Sequence, residues 1–139
     1  MHRFVFHHVG VVTADLGPSQ AFYERLGYAA SERFDDPLQR VAIVLLRRAD
    51  GPMIELVQPT EPASPAAGWL TRIKSGPYHT CYEVPVLDEA MAQLREERFA
   101  PLSAPVPAVA FGGRRVVFLW AKKAGLLELV EGDGLTTTK

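Results

Sequence analysis

One strand-like run with a histidine set into it occurs twice, and this repetition limits the fold more than any other feature of the chain. Phe6-His7-His8-Val9-Gly10-Val11-Val12 returns 71 residues later as Tyr78-His79-Thr80-Cys81-Tyr82-Glu83-Val84, with His79 where His8 stood. Each His is followed by a helix-like segment, Leu16 through Leu26 in the first half and Leu87 through Phe99 in the second. Each half closes on a near-identical strand, Met53-Ile54-Glu55-Leu56-Val57 and Leu126-Leu127-Glu128-Leu129-Val130. The His-to-Glu separation is 47 residues in one copy and 49 in the other. A pattern that recurs at this spacing is one supersecondary unit used twice. Each unit delivers one His and one Glu.

The local signals fill in the unit. Residues 4–12 alternate and are rich in Val and Phe, which predicts a strand with Phe4, Phe6, His8 and Gly10 on one face and Val5, His7, Val9 and Val11 on the other. The first helix has Asp15 to cap it and Pro18 in its first turn. It carries an apolar stripe of Ala21, Phe22, Tyr23 and Leu26, and Gly27 stops it. Residues 28–34 read as a short strand broken by Asp35-Asp36-Pro37; Val41 to Leu46 is a strand, Asp50-Gly51 a hairpin turn, and Met53 to Val57 its return. A Pro- and Ala-rich link from Pro59 to Pro65 joins the halves, and Gly68 to Lys74 reads as a short helix. The second copy begins at Pro77. It repeats strand and helix, passes a Pro-rich loop (Pro101, Pro105, Pro107), turns at Gly112-Gly113, and ends on strands from Arg115 to Trp120 and Leu126 to Val130. The expected organisation is a single domain over residues 1–139. Module one covers about 4–58, a link about 59–76 and module two about 77–131, with a frayed tail over 132–139.

Composition excludes several partners. The formal net charge is −1, and the basic residues fall in scattered pairs (Arg47-Arg48, Arg114-Arg115, Lys122-Lys123), so no basic stripe is available for nucleic acid. The longest apolar runs are far short of the ~20 residues a membrane span needs. The N-terminus lacks the apolar core and small-residue cleavage site of a signal peptide. The single cysteine, Cys81, rules out an internal disulfide. A cytoplasmic location is the expectation.

The repeated His and Glu carry the chemistry. A carboxylate in the middle of an apolar strand is costly to bury unless it is paired or bound to a cation. His8, Glu55, His79 and Glu128 would together make an N2O2 set suited to one divalent ion (Zn, Ni, Co, Mn or Fe(II)), with positions left open for substrate. His7 points to the other face of its strand and is the lesser candidate ligand; His2 is terminal and is set aside.

At these residues the chain resembles the vicinal oxygen chelate superfamily, the group of glyoxalase I, methylmalonyl-CoA epimerase, extradiol dioxygenases and bleomycin-resistance proteins. The resemblance covers residues 4 to about 131. It rests on His8-Val9-Gly10-Val11 with its Phe-Tyr-containing helix, on Ile54-Glu55-Leu56, on His79 to Val84, and on Arg115 to Leu119 leading to Leu127-Glu128-Leu129-Val130. It implies an α+β fold, the glyoxalase/bleomycin resistance fold, in which two tandem βαβββ modules form a curved mixed sheet around a metal site. It also implies His8, Glu55, His79 and Glu128 as ligands, Glu128 as catalytic base and Glu55 as its partner. The second half, with Gly112-Gly113, Arg115 and the Lys123-Ala124-Gly125-Leu126 turn, looks closer to the epimerases. That implies an isomerase moving a proton next to the carbonyl of an acyl-CoA thioester. The alternatives are a glyoxalase I-type lyase acting on a glutathione hemithioacetal and a non-catalytic small-molecule binder or resistance protein. Some epimerases carry a second acid on the strand occupied by Val41-Ala42-Ile43, and Ala42 stands at the place matched to it. Gln39, Cys81, Glu83, Phe118, Trp120 and Arg115 are the expected substrate-pocket residues, with Arg114 and Phe111 beside them. Superfamily members often dimerise, so a homodimer is expected.

Overall fold

Alternating Val and Phe produce the first strand, β1 (Val5–Val12), and the alternation continues into a fold built twice from the same parts. The computed structural model describes residues 3–133. His2 and residues 134–139 of the tail lie outside the described residues. After β1 come α1 (Leu16–Arg25), β2 (Ala29–Asp36), β3 (Val41–Arg47), β4 (Met53–Pro59), α2 (Pro65–Ile73) and β5 (Gly76–Val84). The chain continues through α3 (Leu87–Glu96), β6 (Ala100–Pro101), β7 (Val106–Pro107), a 3₁₀ turn at Val109–Phe111, β8 (Arg115–Ala121) and β9 (Gly125–Glu131). The α+β class expected from the sequence is the one found. No helix among the described residues is long and apolar enough to cross a membrane. The chain divides into two compact units, residues 8–78 and residues 3–7 with 79–133.

In the unit of residues 8–78 the strand order is β2-β3-β4-β1, with β1 parallel to β4 and the other neighbours antiparallel. One face of this sheet packs on α1 through Leu16, Ala42, Val44, Leu46 and Leu56. Each Val or Leu side chain among them contributes roughly 1.5–3 kcal/mol when removed from water. The helix starts and stops where its sequence signals stand. Asp15 accepts from the Gly17 N–H at 3.2 Å, and Gly27, at φ 99°, lets the Tyr28 N–H return to Tyr23 O at 3.2 Å. The expected stripe is narrower than the sequence suggests: Leu16 is buried and Tyr23 packs on the core, while Phe22 and Leu26 are exposed. Phe22 is one residue, about 100° of helix, from Tyr23 and cannot share its face. Boundaries also move. β2 runs to Asp36, because Asp36 is buried and is held by the N–H and Nε2 of Gln39 (3.1 and 2.8 Å) instead of breaking the strand. α2 begins at Pro65, three residues earlier than expected, since Ser64 caps it and Pro65 needs no N–H in the first turn.

The other unit repeats the arrangement as β5-β9-β8-β6, with β5 parallel to β9 and β7 also pairing with β8. Its helix α3 buries Leu87, Ala90, Met91 and Leu94 against Val117, Leu119 and Leu129. The sequence pattern extends this helix to Phe99, but it ends at Glu96. Arg98 adopts φ 72°, the Phe99 N–H turns back to Leu94 O at 3.0 Å, and the Phe99 ring is delivered into the core. The Pro-rich stretch after α3, read as loop, supplies the two short strands β6 and β7 on the edge of β8. Gly132 is held by its N–H to Val84 O at 2.8 Å.

Candidate functional site

Each unit places its His and Glu by the same strand register. In the β1–β4 pairing Gly10 stands opposite Glu55, so Glu55 is two positions past His8 and on the same face. In the β5–β9 pairing Cys81 stands opposite Glu128, which is therefore two positions past His79. The side chains meet diagonally in both: His8 Nε2 to Glu55 Oε1 is 3.2 Å, and His79 Nε2 to Glu128 Oε1 is 3.1 Å. All four residues are buried, with exposures of 0%, 4%, 4% and 2% in the order His8, Glu55, His79, Glu128. An imidazole and a carboxylate removed from water in this way form a donor pair suited to a divalent transition metal, and each unit carries one. The donor chemistry fits the ion that the sequence implies.

The surroundings of the two pairs differ. Phe118 on β8 lies opposite Glu128, and its ring meets the His79 ring edge-on with centroids 4.9 Å apart. Leu45 holds the corresponding place opposite Glu55. Phe118 thus lies on the face of the sheet that carries His79 and Glu128. Trp120 shares its face of β8, opposite Leu126, and is exposed.

Cys81 and Glu83 lie on the same face of β5 as His79. A ring nitrogen of His7 and the Cys81 Sγ lie within 4.8 Å. Glu83 is buried and accepts from Arg114 Nη1 at 2.7 Å, and Arg114 Nε donates to Phe111 O at 3.3 Å. The Phe111 ring in turn meets His7 edge-on at 5.1 Å. Gly132 borders this ion pair, and a Cβ there would overlap both the Glu83 carboxylate and the Arg114 guanidinium.

Three residues expected at the site do other work. Arg115 belongs to the opposite face of β8, where Nε and Nη2 bind the two oxygens of Glu131 at 3.1 Å each and Nη2 lies 3.7 Å from Asp88. Glu131 also accepts from the Leu87 N–H at 2.9 Å, capping α3 in place of Val86, which has no side-chain oxygen. These hydrogen bonds from Arg115 and Leu87 hold the Glu131 carboxyl below its ordinary range. Gln39 closes the β2–β3 turn on Asp36. Ala42, matched in the sequence reading to a second acid, packs in the core beside Val44 and Leu46. Strand alternation puts Val41, Ile43 and Leu45, all aliphatic, on the Glu55 face of β3.

The sequence reading gave Arg47 no place beyond the scattered Arg47-Arg48 pair. It is two positions past Leu45 on β3, on the Glu55 face, and its Nη2 is buried. The parity of Val41-Ala42-Ile43-Val44-Leu45-Leu46-Arg47 relative to Glu55 was the signal that could have found it.

Residues 7–118 match the family model described as the glyoxalase/bleomycin resistance protein/dioxygenase superfamily. The chain is 35% identical over 127 residues to the human mitochondrial methylmalonyl-CoA epimerase, covering 88% of this chain and 71% of that one. It is 30% identical over 118 residues to the ethylmalonyl-CoA/methylmalonyl-CoA epimerase of Cereibacter sphaeroides, covering 84% and 87%. The crystal structure of the methylmalonyl-CoA epimerase from Mycobacterium tuberculosis shares the fold, with a TM-score of 0.79 at 24% identity, covering 93% of this chain and 88% of that one.

Proposed function

The chain belongs to the glyoxalase/bleomycin resistance protein/dioxygenase superfamily, and within it we propose that it is a metal-dependent isomerase of the methylmalonyl-CoA epimerase type. The observation that carries the reading is the buried His–Glu pair, built twice at the same register. Similarity to two epimerases named for malonyl-type CoA thioesters supports the substrate class. His8, Glu55, His79 and Glu128 hold one divalent ion in this proposal, and bound there it supplies Lewis acidity toward the thioester carbonyl.

Glu128 removes the proton from the acyl α-carbon and keeps it on a carboxylate oxygen. Glu55, which starts protonated from solvent, delivers its proton to the opposite face of that carbon, which inverts it. The two carboxylates finish with their protons exchanged, and solvent resets them. Phe118 packs on the His79 ring and limits water at the proton-bearing carbon. Cys81 packs beside Glu128 as a small apolar side chain. The proposal extends to a cytoplasmic homodimer, supported by the habit of the superfamily and by the absence of any need for an oxidising compartment.

The test is incubation of the metal-loaded protein with one enantiomer of methylmalonyl-CoA in deuterated water. Inversion accompanied by loss of the α-hydrogen is expected. Formation of a thioester from glutathione plus methylglyoxal, with no inversion, overturns the epimerase reading in favour of a glyoxalase. Absence of both overturns the enzyme reading.

A further inference from the structure

We propose that Arg47 receives the free carboxylate of the substrate's acyl group, an inference that rests on the acyl-CoA reading above. Arg47 is the last residue of β3 and pairs across to Ala29 on β2. Leu45, two residues before it, is opposite Glu55, so the Arg47 side chain leaves the strand on the face that carries Glu55 and His8. Neighbours two positions apart on adjacent strands lie ~7–8 Å apart at their Cα atoms, within reach of a long side chain.

Arg47 Nη2 is buried and has no hydrogen-bond partner among the described residues. Arg48, next in sequence and on the other face, has the opposite surroundings: it binds Asp50 through two nitrogens, at 2.6 and 3.1 Å. Burial lowers the pKa of Arg47, a shift that leaves a guanidinium fully charged at neutral pH. A charged donor that is removed from water and left unmatched is destabilising until an anion completes it.

The fork of a guanidinium fits a carboxylate through two parallel N–H···O bonds. In a malonyl-type thioester the free carboxylate is attached to the same carbon that gives up its proton. A group bound next to Glu55 therefore fixes that carbon for proton transfer and selects acyl chains that carry a negative charge. In the thioester the phosphates of the CoA portion are at the far end of the pantetheine arm from that carboxylate.

The experiment compares the metal-loaded wild type with Arg47→Met and Arg47→Lys. Turnover is measured on methylmalonyl-CoA and on methylmalonyl-pantetheine, which keeps the carboxylate and lacks the phosphates. Affinities for malonyl-CoA and acetyl-CoA are measured by calorimetry. We expect kcat/KM to fall about 10- to 100-fold in Arg47→Met on both substrates, with partial recovery in Arg47→Lys. Malonyl-CoA affinity falls with it, while acetyl-CoA affinity holds. Unchanged kinetics overturn the assignment, as does a loss confined to the CoA substrate, which would mark a phosphate contact. Equal weakening of acetyl-CoA would mark a purely structural role and overturn it too. Arg47→Gln replaces the Met variant where melting shows that the latter does not fold. Should the wild type fail to epimerise, the functional reading falls by itself, and a malonyl-over-acetyl preference that depends on Arg47 still decides this inference.

Discussion

Glu128 stands opposite Cys81 in the parallel pairing of β5 with β9, two positions past the imidazole that it touches at 3.1 Å. Gly10 and Glu55 repeat the relationship in the other unit. Two carboxylates set by one rule predict a separable pair of roles. In Glu55→Gln, inversion of methylmalonyl-CoA should fall by about 10²- to 10⁴-fold. Exchange of the α-hydrogen with solvent should persist for the enantiomer whose proton faces Glu128. Glu128→Gln should show the reverse preference and bind less than the one metal equivalent expected of the wild type. Proton NMR in deuterated water, run on each enantiomer beside metal analysis, reads both effects. Equal loss of exchange from both enantiomers in both variants would remove the two-base assignment.

Ala42 gives a test of which face of β3 matters. It is fully buried in the core shared with α1, on the side away from Glu55. Ala42→Glu should therefore bury an unpaired carboxylate among aliphatic side chains and destabilise the fold by about 3–5 kcal/mol. No epimerase activity should be gained. Urea denaturation shows the result. A variant of wild-type stability would mean that the side chain reaches an open site, contrary to the register.

Much of this was legible in the chain because duplication and alternation act together. His8 with Glu55, and His79 with Glu128, could be found from spacing alone, since a strand register converts a fixed sequence offset into a fixed diagonal contact. What could not be read was the far partner of each charge. Arg115 looked like a substrate residue because nothing local reveals that Glu131, sixteen residues on, accepts both arms of its guanidinium. Gln39 was misread for a local reason: Asp36, three residues before it, is buried, which turned a predicted strand breaker into the anchor of a turn. Ala42 was assigned by likeness of position, and one residue of register moves a side chain through the sheet.

Glu131 predicts a pH effect. Its carboxyl is held below the ordinary value of 4.5, first by the hydrogen bond from Arg115 and next by the Leu87 N–H. A carboxyl whose folded-state pKa is depressed contributes stability that is complete above its unfolded value. That contribution is lost as pH falls through the lower, folded-state value. Glu131→Gln should therefore lower stability at pH 7 by about 0.5–1 kcal/mol, through the loss of a part-exposed charged pair, since an amide oxygen can still accept from the Leu87 N–H. Its stability should also vary less with pH below about 4.5 than that of the wild type. Thermal melting from pH 7 to pH 3 measures both. Parallel curves for the two proteins would show that the pair contributes nothing to acid sensitivity.

Arg98 shows where α3 gives up helical geometry to bury a ring. The chain turns at φ 72°, and the Phe99 N–H reaches back to Leu94 O so that Phe99 packs under the helix. Glycine is the residue that usually holds this place, because any Cβ crowds the following carbonyl in left-handed backbone. Arg98→Gly should relieve that crowding and stabilise the protein by about 0.5–1 kcal/mol, after allowing for the extra freedom glycine gives the unfolded chain. Arg98→Ala keeps the Cβ and should bring no such gain, which separates backbone relief from loss of the guanidinium. Phe99→Ala should cost about 3–5 kcal/mol if the turn exists to deliver the ring. Urea midpoints at constant slope give all three values. A destabilised glycine variant would mean that the Arg98 side chain contributes more than its strained backbone costs.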